Sequence, residues 1–123
     1  MTNQEKAKLY QSGWSNWEKF PDPLKGEYLN APSGPGVYQL RDKKTGELIM
    51  FGRSKNVAFR MTSLIPDGQG TRNNQDKKGY VRWHLDDIEY RTIPFNTEKE
   101  AIEFEKYVRE NEEHIFNECN RKK

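Results

Sequence analysis

Hydrophobic and polar positions alternate in three short segments of the chain, which predicts three β-strands. These segments are residues 36–41, 47–52 and 88–93, and alternation with a period of two is typical of strands. A turn at residues 42–46 joins the first two segments. Strands joined by so short a turn are antiparallel neighbours, so the pattern predicts a hairpin within a small three-stranded antiparallel sheet.

Helical periodicity appears first near the start of the chain. Four aromatic residues recur there at spacings of four, three and three, and they are Tyr10, Trp14, Trp17 and Phe20. This spacing predicts one helix that begins near Gln4 and ends before the prolines at 21 and 23. An aromatic stripe can stack on nucleobases, but a stripe at helical period is more often buried in a core. We therefore expect residues 1–33 to form a helical extension packed on the core.

Three further segments also have a helical pattern. Ser54 or Asn56 can cap a helix whose apolar stripe contains Val57, Met61 and Leu64, and another helix is predicted at residues 76–85. Thr97 and Glu100 form a capping box. The helix that it opens has an apolar stripe made by Ala101, Phe104 and Val108. The predicted fold is α+β, with residues 34–123 forming the core domain and a sheet flanked by helices.

Composition limits the class of protein. The 123 residues are 33% hydrophobic, 33% charged and 12% aromatic, which indicates one polar domain with a packed core. No apolar run approaches the ~20 residues that span a bilayer, and the start lacks a signal-peptide core. We expect a cytoplasmic protein that does not bind membranes. Cys119 is the single cysteine, so an internal disulfide is excluded and a structural zinc site is not expected.

Charge is segregated along the chain although the formal net charge is only +2. Residues 53–82 contain seven basic and two acidic side chains, whereas residues 96–114 contain seven acidic and three basic ones. Such segregation gives one face a positive potential that can attract a phosphate backbone. A solvated surface with neutralising neighbours explains the same pattern and remains open.

Three polar residues are expected beside the core rather than far out in solvent. Tyr38 lies on the first hairpin strand, across from the end of the second. Arg60 is one position before Met61 on its helix, from where it can clamp a phosphate or form an ion pair. Glu105 lies about 40° from Ala101 around its helix. A carboxylate in that position needs a partner, either a Lys or Arg side chain or a divalent cation.

The order and spacing of these residues resemble the GIY-YIG nuclease superfamily. The matching segments are Gly36-Val37-Tyr38, Met50-Phe51-Gly52, Arg60 eight residues after Gly52, and Glu105 four residues after Ala101. The resemblance covers residues 34–117. It implies a metal-dependent DNA endonuclease in which Tyr38 acts on the attacking water, Arg60 grips the phosphate and Glu105 binds Mg²⁺ or Mn²⁺.

DNA is the partner that the resemblance implies, and a set of basic and amide side chains is expected to bind it. These residues are Arg53, Lys55, Arg72, Asn73, Lys78 and Asn117. Met50 stands where the superfamily usually has a proton-transferring tyrosine, and Leu64 where some members have a histidine. A thioether cannot transfer a proton. Two alternatives therefore stay open: a catalytically impaired relative that binds nucleic acid, and a protein-interaction module.

Overall fold

A computed structural model of the chain describes residues 1–22, 25–62, 64, 80–81 and 84–116. Within these residues the fold is α+β, as predicted, with α-helices packed on one antiparallel sheet. The elements are α1 (Asn3–Ser12), β1 (Glu18–Lys19), β2 (Gly36–Asp42), β3 (Leu48–Ser54), α2 (Val57–Thr62), β4 (Ile88–Pro94) and α3 (Glu98–Asn111). A 3-10 helix, Leu85–Asp87, precedes β4.

The sheet has four strands in the order β1-β4-β2-β3. The predicted hairpin is confirmed, because β2 and β3 pair antiparallel with Tyr38 opposite Gly52. The third predicted strand, β4, pairs with the other side of β2 along its whole length. The prediction of three strands was one short. The additional strand, β1, has only two residues and pairs with Glu89 and Tyr90 of β4.

The sheet buries an apolar layer on each face. One layer packs against α2 and contains Tyr38, Leu40, Met50, Val57, Met61, Leu64 and Tyr90 among others. The other layer packs against α3 and contains Val37, Phe51, Ile93, Ala101, Phe104 and Val108. The predicted stripes of α2 and α3 therefore face the sheet. The capping box of α3 is confirmed, since Thr97 Oγ1 accepts from the Glu100 amide at 3.2 Å and Glu100 Oε1 from the Thr97 amide at 3.3 Å.

The N-terminal segment changes from helix to extended chain near its middle. Helix α1 ends at Ser12, where the Gly13 amide donates to the Leu9 carbonyl at 2.7 Å. The prediction of one helix through Phe20 was therefore wrong beyond Ser12. The following residues run along β4 instead, with the Ser15 amide donating to the Thr92 carbonyl at 2.8 Å. Extended pairing satisfies backbone groups that the helix would otherwise have satisfied.

The side chains of this segment nevertheless pack on the domain. The ring of Trp14 lies 5.6 Å from that of Phe104 on α3. The Arg91 guanidinium is held between Trp14 and Trp17, 4.3 and 4.4 Å from the two ring centroids. We call these three residues the arginine–tryptophan stack. It replaces the predicted helical stripe as the contact between extension and sheet, and cation–π attraction of this kind strengthens when partly desolvated.

A buried amide connects the arginine–tryptophan stack to the C-terminal end of the described chain. Gln39 is fully buried, and its Oε1 accepts from Arg91 Nε at 2.8 Å. Its Nε2 lies 2.9 Å from the Tyr10 hydroxyl and 3.1 Å from His114 Nε2. Because an amide N–H is a donor, the imidazole nitrogen facing it is the unprotonated acceptor. Burial lowers the pKa of His114 to about 4, which keeps the ring neutral.

Two further sequence predictions concern helices and membranes. The predicted helix at 76–85 falls mostly outside the described residues, although Tyr80 and Val81 are helical. Among the residues that the structure describes, no helix has the length and apolar character needed to cross a membrane.

Candidate active site

Tyr38 sits at the centre of the candidate site. It lies on β2 with 1% of its surface exposed, and its ring covers Gly52 on the neighbouring strand. A Cβ atom at position 52 would come within 2.7 Å of the Tyr38 hydroxyl and 2.8 Å of Cζ. Position 52 therefore requires glycine, because the absence of a Cβ atom leaves room for the Tyr38 ring to lie across β3 at this edge of the sheet.

Arg60 and Glu105 both act on the Tyr38 hydroxyl. Burial is the largest effect and raises the pKa of Tyr38. The charge of Arg60 and its hydrogen bond to the phenol oppose this rise, while the negative charge of Glu105 adds to it. The three residues predicted to be catalytic come from β2, α2 and α3, and the two charged ones both influence the pKa of the phenol. The net direction keeps Tyr38 a neutral phenol at neutral pH.

Glu105 lies on the face of α3 nearest the β3 edge, and its side chain is 14% exposed. Its Oε1 is 3.7 Å from Arg53 Nε and 4.0 Å from Arg109 Nη2. Arg53 also pairs with Glu98, at 3.2 Å between Nη1 and Oε2. The sequence left open whether an arginine or a cation partners this carboxylate. The structure shows two arginines within ion-pairing distance of it.

The side chains around Glu105 determine whether a divalent cation can bind there. Among the described residues there is no group of three or more His, Cys, Asp or Glu side chains that could hold a metal, so Glu105 would be the main protein ligand. One carboxylate leaves coordination positions for water and substrate oxygens, which suits Mg²⁺. The guanidinium groups of Arg53 and Arg109 repel a cation at the same oxygen. The site therefore fits a cation that arrives with a phosphate, and does not fit a tightly held resident ion.

The two positions that depart from the superfamily pattern lie in the core. Met50 is fully buried and Leu64 is 1% exposed, and both belong to the apolar layer that packs against α2. The backbone of Met50 forms a parallel bridge to Phe116. These side chains contribute packing and no proton transfer. A tyrosine or histidine at either position would instead need a hydrogen-bond partner inside this layer.

The residues predicted to bind nucleic acid are only partly described. Arg53 is exposed near the end of β3, and Lys55 is exposed just before α2. Arg72, Asn73, Lys78 and Asn117 lie outside the described residues.

Sequence reasoning missed the role of Arg109. It lies one turn after Glu105 on α3 and approaches the carboxylate as an i, i+4 pair. Its Nε is buried and makes no hydrogen bond to the described chain. The spacing of an acidic and a basic residue four positions apart was a usable signal, whereas the contact between Arg53 and Glu105 joins distant parts of the chain and left no local pattern.

Comparison with known proteins gives no assignment. No family model matches the chain, no curated protein matches it, and no solved structure matches it.

Proposed function

We propose that the chain is a GIY-YIG-like nuclease domain that hydrolyses phosphodiester bonds in DNA with the help of Mg²⁺ or Mn²⁺. One observation carries the proposal: a guanidinium from α2 and a carboxylate from α3 both act on the same buried phenol of β2. Gathering charged groups around a buried phenol costs desolvation energy. A protein that only needed a stable core would place apolar side chains there.

Arg60 is the phosphate-binding group in this proposal. Its guanidinium acts on the Tyr38 phenol and lowers the pKa of that group against the effect of burial, and the planar fork of a guanidinium matches two phosphate oxygens. Bound in this way, a phosphate lies next to the phenol. The positive charge also stabilises the additional negative charge that develops on the phosphate during attack.

Tyr38 is proposed to orient the attacking water rather than to deprotonate it. Burial and Glu105 raise the pKa of the phenol despite the opposing effect of Arg60, so the phenolate needed for a general base is scarce at neutral pH. A neutral hydroxyl can accept a hydrogen bond from water and donate one to a phosphate oxygen. This role needs the ring to be fixed, which its packing on Gly52 provides.

Glu105 is the residue that would hold the divalent cation. Its side chain is 14% exposed and lies within 3.7 Å of Arg53. When bound there, Mg²⁺ or Mn²⁺ supplies Lewis-acid stabilisation of the scissile phosphate and the leaving oxygen. Arg53 can turn towards the DNA backbone at little cost, because the side chain of Glu98 is 41% exposed and Glu105 keeps Arg109 within 4.0 Å.

The test is cleavage of supercoiled, linear and branched DNA in Mg²⁺ or Mn²⁺. We expect Glu105→Ala, Arg60→Ala and Tyr38→Phe each to reduce cleavage by about 100-fold or more. Glu110→Ala is the matched control, because Glu110 is an exposed carboxylate on the same helix. Arg60→Lys keeps the charge but loses the fork, so it should restore only part of the activity. Equal cutting by Glu105→Ala and the parent chain would refute the metal assignment.

A second function, DNA binding without cleavage, has its own supporting observation. Met50 is buried in the core and Tyr38 has a raised pKa, so neither position supplies a ready proton acceptor. A relative that retained Arg60 as a phosphate clamp would still bind DNA in a steeply salt-dependent way. Binding that weakens with salt, together with no product in either metal, would favour this function over the first.

A further inference from the structure

Phe59 is an exposed aromatic residue on the helix that carries Arg60. The residue is 73% exposed. The two residues that anchor α2 in the core are Val57 and Met61, each two positions away, or about 200° around the helix. Phe59 therefore projects to the side opposite the core.

The backbone that presents this ring is firmly held. The Phe59 amide donates to Asn56 Oδ1 at 3.0 Å, and the Thr62 hydroxyl donates to the Phe59 carbonyl at 2.6 Å. The Asn56 amide in turn donates to Ser54 Oγ at 3.0 Å. Helix α2 is only six residues long, so these side-chain contacts and its two buried anchors keep it in place. An exposed ring on a fixed backbone is an effective stacking surface, because little conformational entropy is lost when a ligand binds to it.

The surroundings of Phe59 indicate what kind of ligand suits it. Arg60 is the next residue, and the exposed Lys55 and Arg53 precede the helix. Their positive charge favours a polyanion over an apolar protein surface. Helix α3, by contrast, bears the acidic residues Glu98, Glu100, Glu103 and Glu110, which repel a phosphate backbone. A bound strand is thereby directed over α2, where the exposed Phe59 is the neighbour in sequence of Arg60.

We propose that Phe59 stacks on an unpaired nucleobase adjacent to the phosphate that Arg60 binds. The inference rests on the proposed function of the Tyr38 site. A base inside an uninterrupted duplex is already stacked on its neighbours and offers no free face, whereas a base in a single-stranded or branched segment does. The substrate class is therefore DNA with unpaired nucleotides at the point of attack. Basic residues next to an aromatic platform are the combination that binds single strands without reading their sequence.

The experiment measures binding in EDTA, so that cleavage does not interfere. Fluorescence anisotropy with a labelled single-stranded oligonucleotide, and with the same sequence as a duplex, compares the parent chain with Phe59→Ala, Phe59→Leu and Phe59→Trp. We expect Phe59→Ala to weaken single-strand binding about tenfold or more and duplex binding less than about twofold. Phe59→Leu should behave like Phe59→Ala, and Phe59→Trp like the parent. Tyr28→Ala is the matched control, because Tyr28 is 89% exposed in a different part of the chain.

A second readout uses 2-aminopurine placed in the single strand, whose fluorescence is quenched on stacking. Quenching by the parent and by Phe59→Trp, but not by Phe59→Leu, is the expected result. Equal losses for duplex and single strand, full binding by Phe59→Leu, or no binding by the parent would each overturn the proposal. So would a fall in melting temperature of more than about 5 °C in Phe59→Ala, since that would show that the ring packs against its own chain.

The same set of proteins separates this proposal from the nuclease proposal. Phe59-dependent binding of single strands with no cleavage in Mg²⁺ or Mn²⁺ keeps the stacking site and rejects the nuclease. Cleavage that is lost in Glu105→Ala but indifferent to Phe59 keeps the nuclease and rejects the stacking site.

Discussion

Replacing Gly52 with alanine is predicted to destabilise the protein and to disturb the candidate site together. The added Cβ would lie 2.7, 2.8 and 2.9 Å from three atoms of the Tyr38 ring. Ordinary carbon contacts are about 3.5–4.0 Å, so the ring or the strand has to move by roughly 1 Å. The ring has little room for this, because Tyr38 is only 1% exposed and lies in the apolar layer that packs against α2.

The magnitude follows from two opposing effects. Overpacking a buried site costs about 1–3 kcal/mol, whereas replacing glycine by alanine stabilises by about 0.4–1 kcal/mol through the unfolded chain. The free energy of unfolding should therefore fall by about 1–2 kcal/mol, which corresponds to a melting temperature lower by roughly 3–8 °C for a domain of this size. Under the proposed function, DNA cleavage should fall by more than the loss of folded protein explains, because a displaced phenol also misplaces Arg60.

Urea unfolding and calorimetry measure the loss of stability, and a double-mutant cycle assigns it. In a Tyr38→Leu background the ring is absent, so Gly52→Ala should cost less than about 0.5 kcal/mol. Gly34→Ala is the control, because a Cβ at position 34 meets no atom within 4 Å. The reasoning is refuted if Gly52→Ala unfolds like Gly34→Ala, or if its cost persists unchanged when Tyr38 is leucine.

Three further predictions concern buried polar groups. Arg91→Met should lower the free energy of unfolding, measured by urea denaturation, by about 2–3 kcal/mol. Arg91→Lys should recover little of that loss, because the arginine–tryptophan stack depends on a flat guanidinium and on a hydrogen bond at 2.8 Å. Since the pKa of His114 is about 4 in the folded chain and about 6.5 when unfolded, stability should be complete above pH 6.5 and fall by roughly 3 kcal/mol as the pH drops to 4. His114→Phe should lose most of that pH dependence, and an unchanged profile would contradict the assignment. Because the pKa of Tyr38 is raised in the folded chain, its contribution to the free energy of unfolding should be complete below about pH 10 and decrease at higher pH. Urea titrations at about pH 9–11 should show a smaller decrease for Tyr38→Phe than for the parent chain.

Local patterns predicted the parts of this fold that depend on neighbours in sequence. The β2–β3 hairpin follows from a short turn and alternating side chains, and the start of α3 follows from the Thr97 capping box. The end of α1 was predicted wrongly because the aromatic spacing suits a helix, whereas pairing with β4 favours an extended chain from Trp14 onward. Strand β1 has two residues, too few for any alternation to be recognised.

In the candidate site, too, local sequence patterns predicted some contacts and not others. The meeting of Tyr38 with Gly52 follows from the hairpin, once the register is known. The approach of Glu105 to Tyr38 joins residues far apart in sequence, and no periodicity in either segment predicts it. Only the resemblance to a known arrangement suggested it. Which cations pair with Glu105 could not be decided from the sequence. Arg53 reaches the carboxylate from β3, through tertiary structure, and Arg109 reaches it from the same helix.

The balance of charge at this edge of the sheet determines whether the empty site prefers a phosphate or a cation. Among the residues that the structure describes, Arg53, Arg60 and Arg109 outnumber the carboxylates of Glu98 and Glu105 around Tyr38, so under the proposed function we expect the empty site to attract a phosphate more strongly than a cation. Once a phosphate is bound, its negative charge reverses that preference and a divalent ion can join Glu105. The proposed function therefore predicts that DNA and metal bind with positive coupling, each raising the affinity for the other by the same factor. Calorimetric titration of Mg²⁺ with and without an uncleavable phosphorothioate oligonucleotide measures that factor. Equal Mg²⁺ affinity in both titrations would mean that the arginines do not control the site.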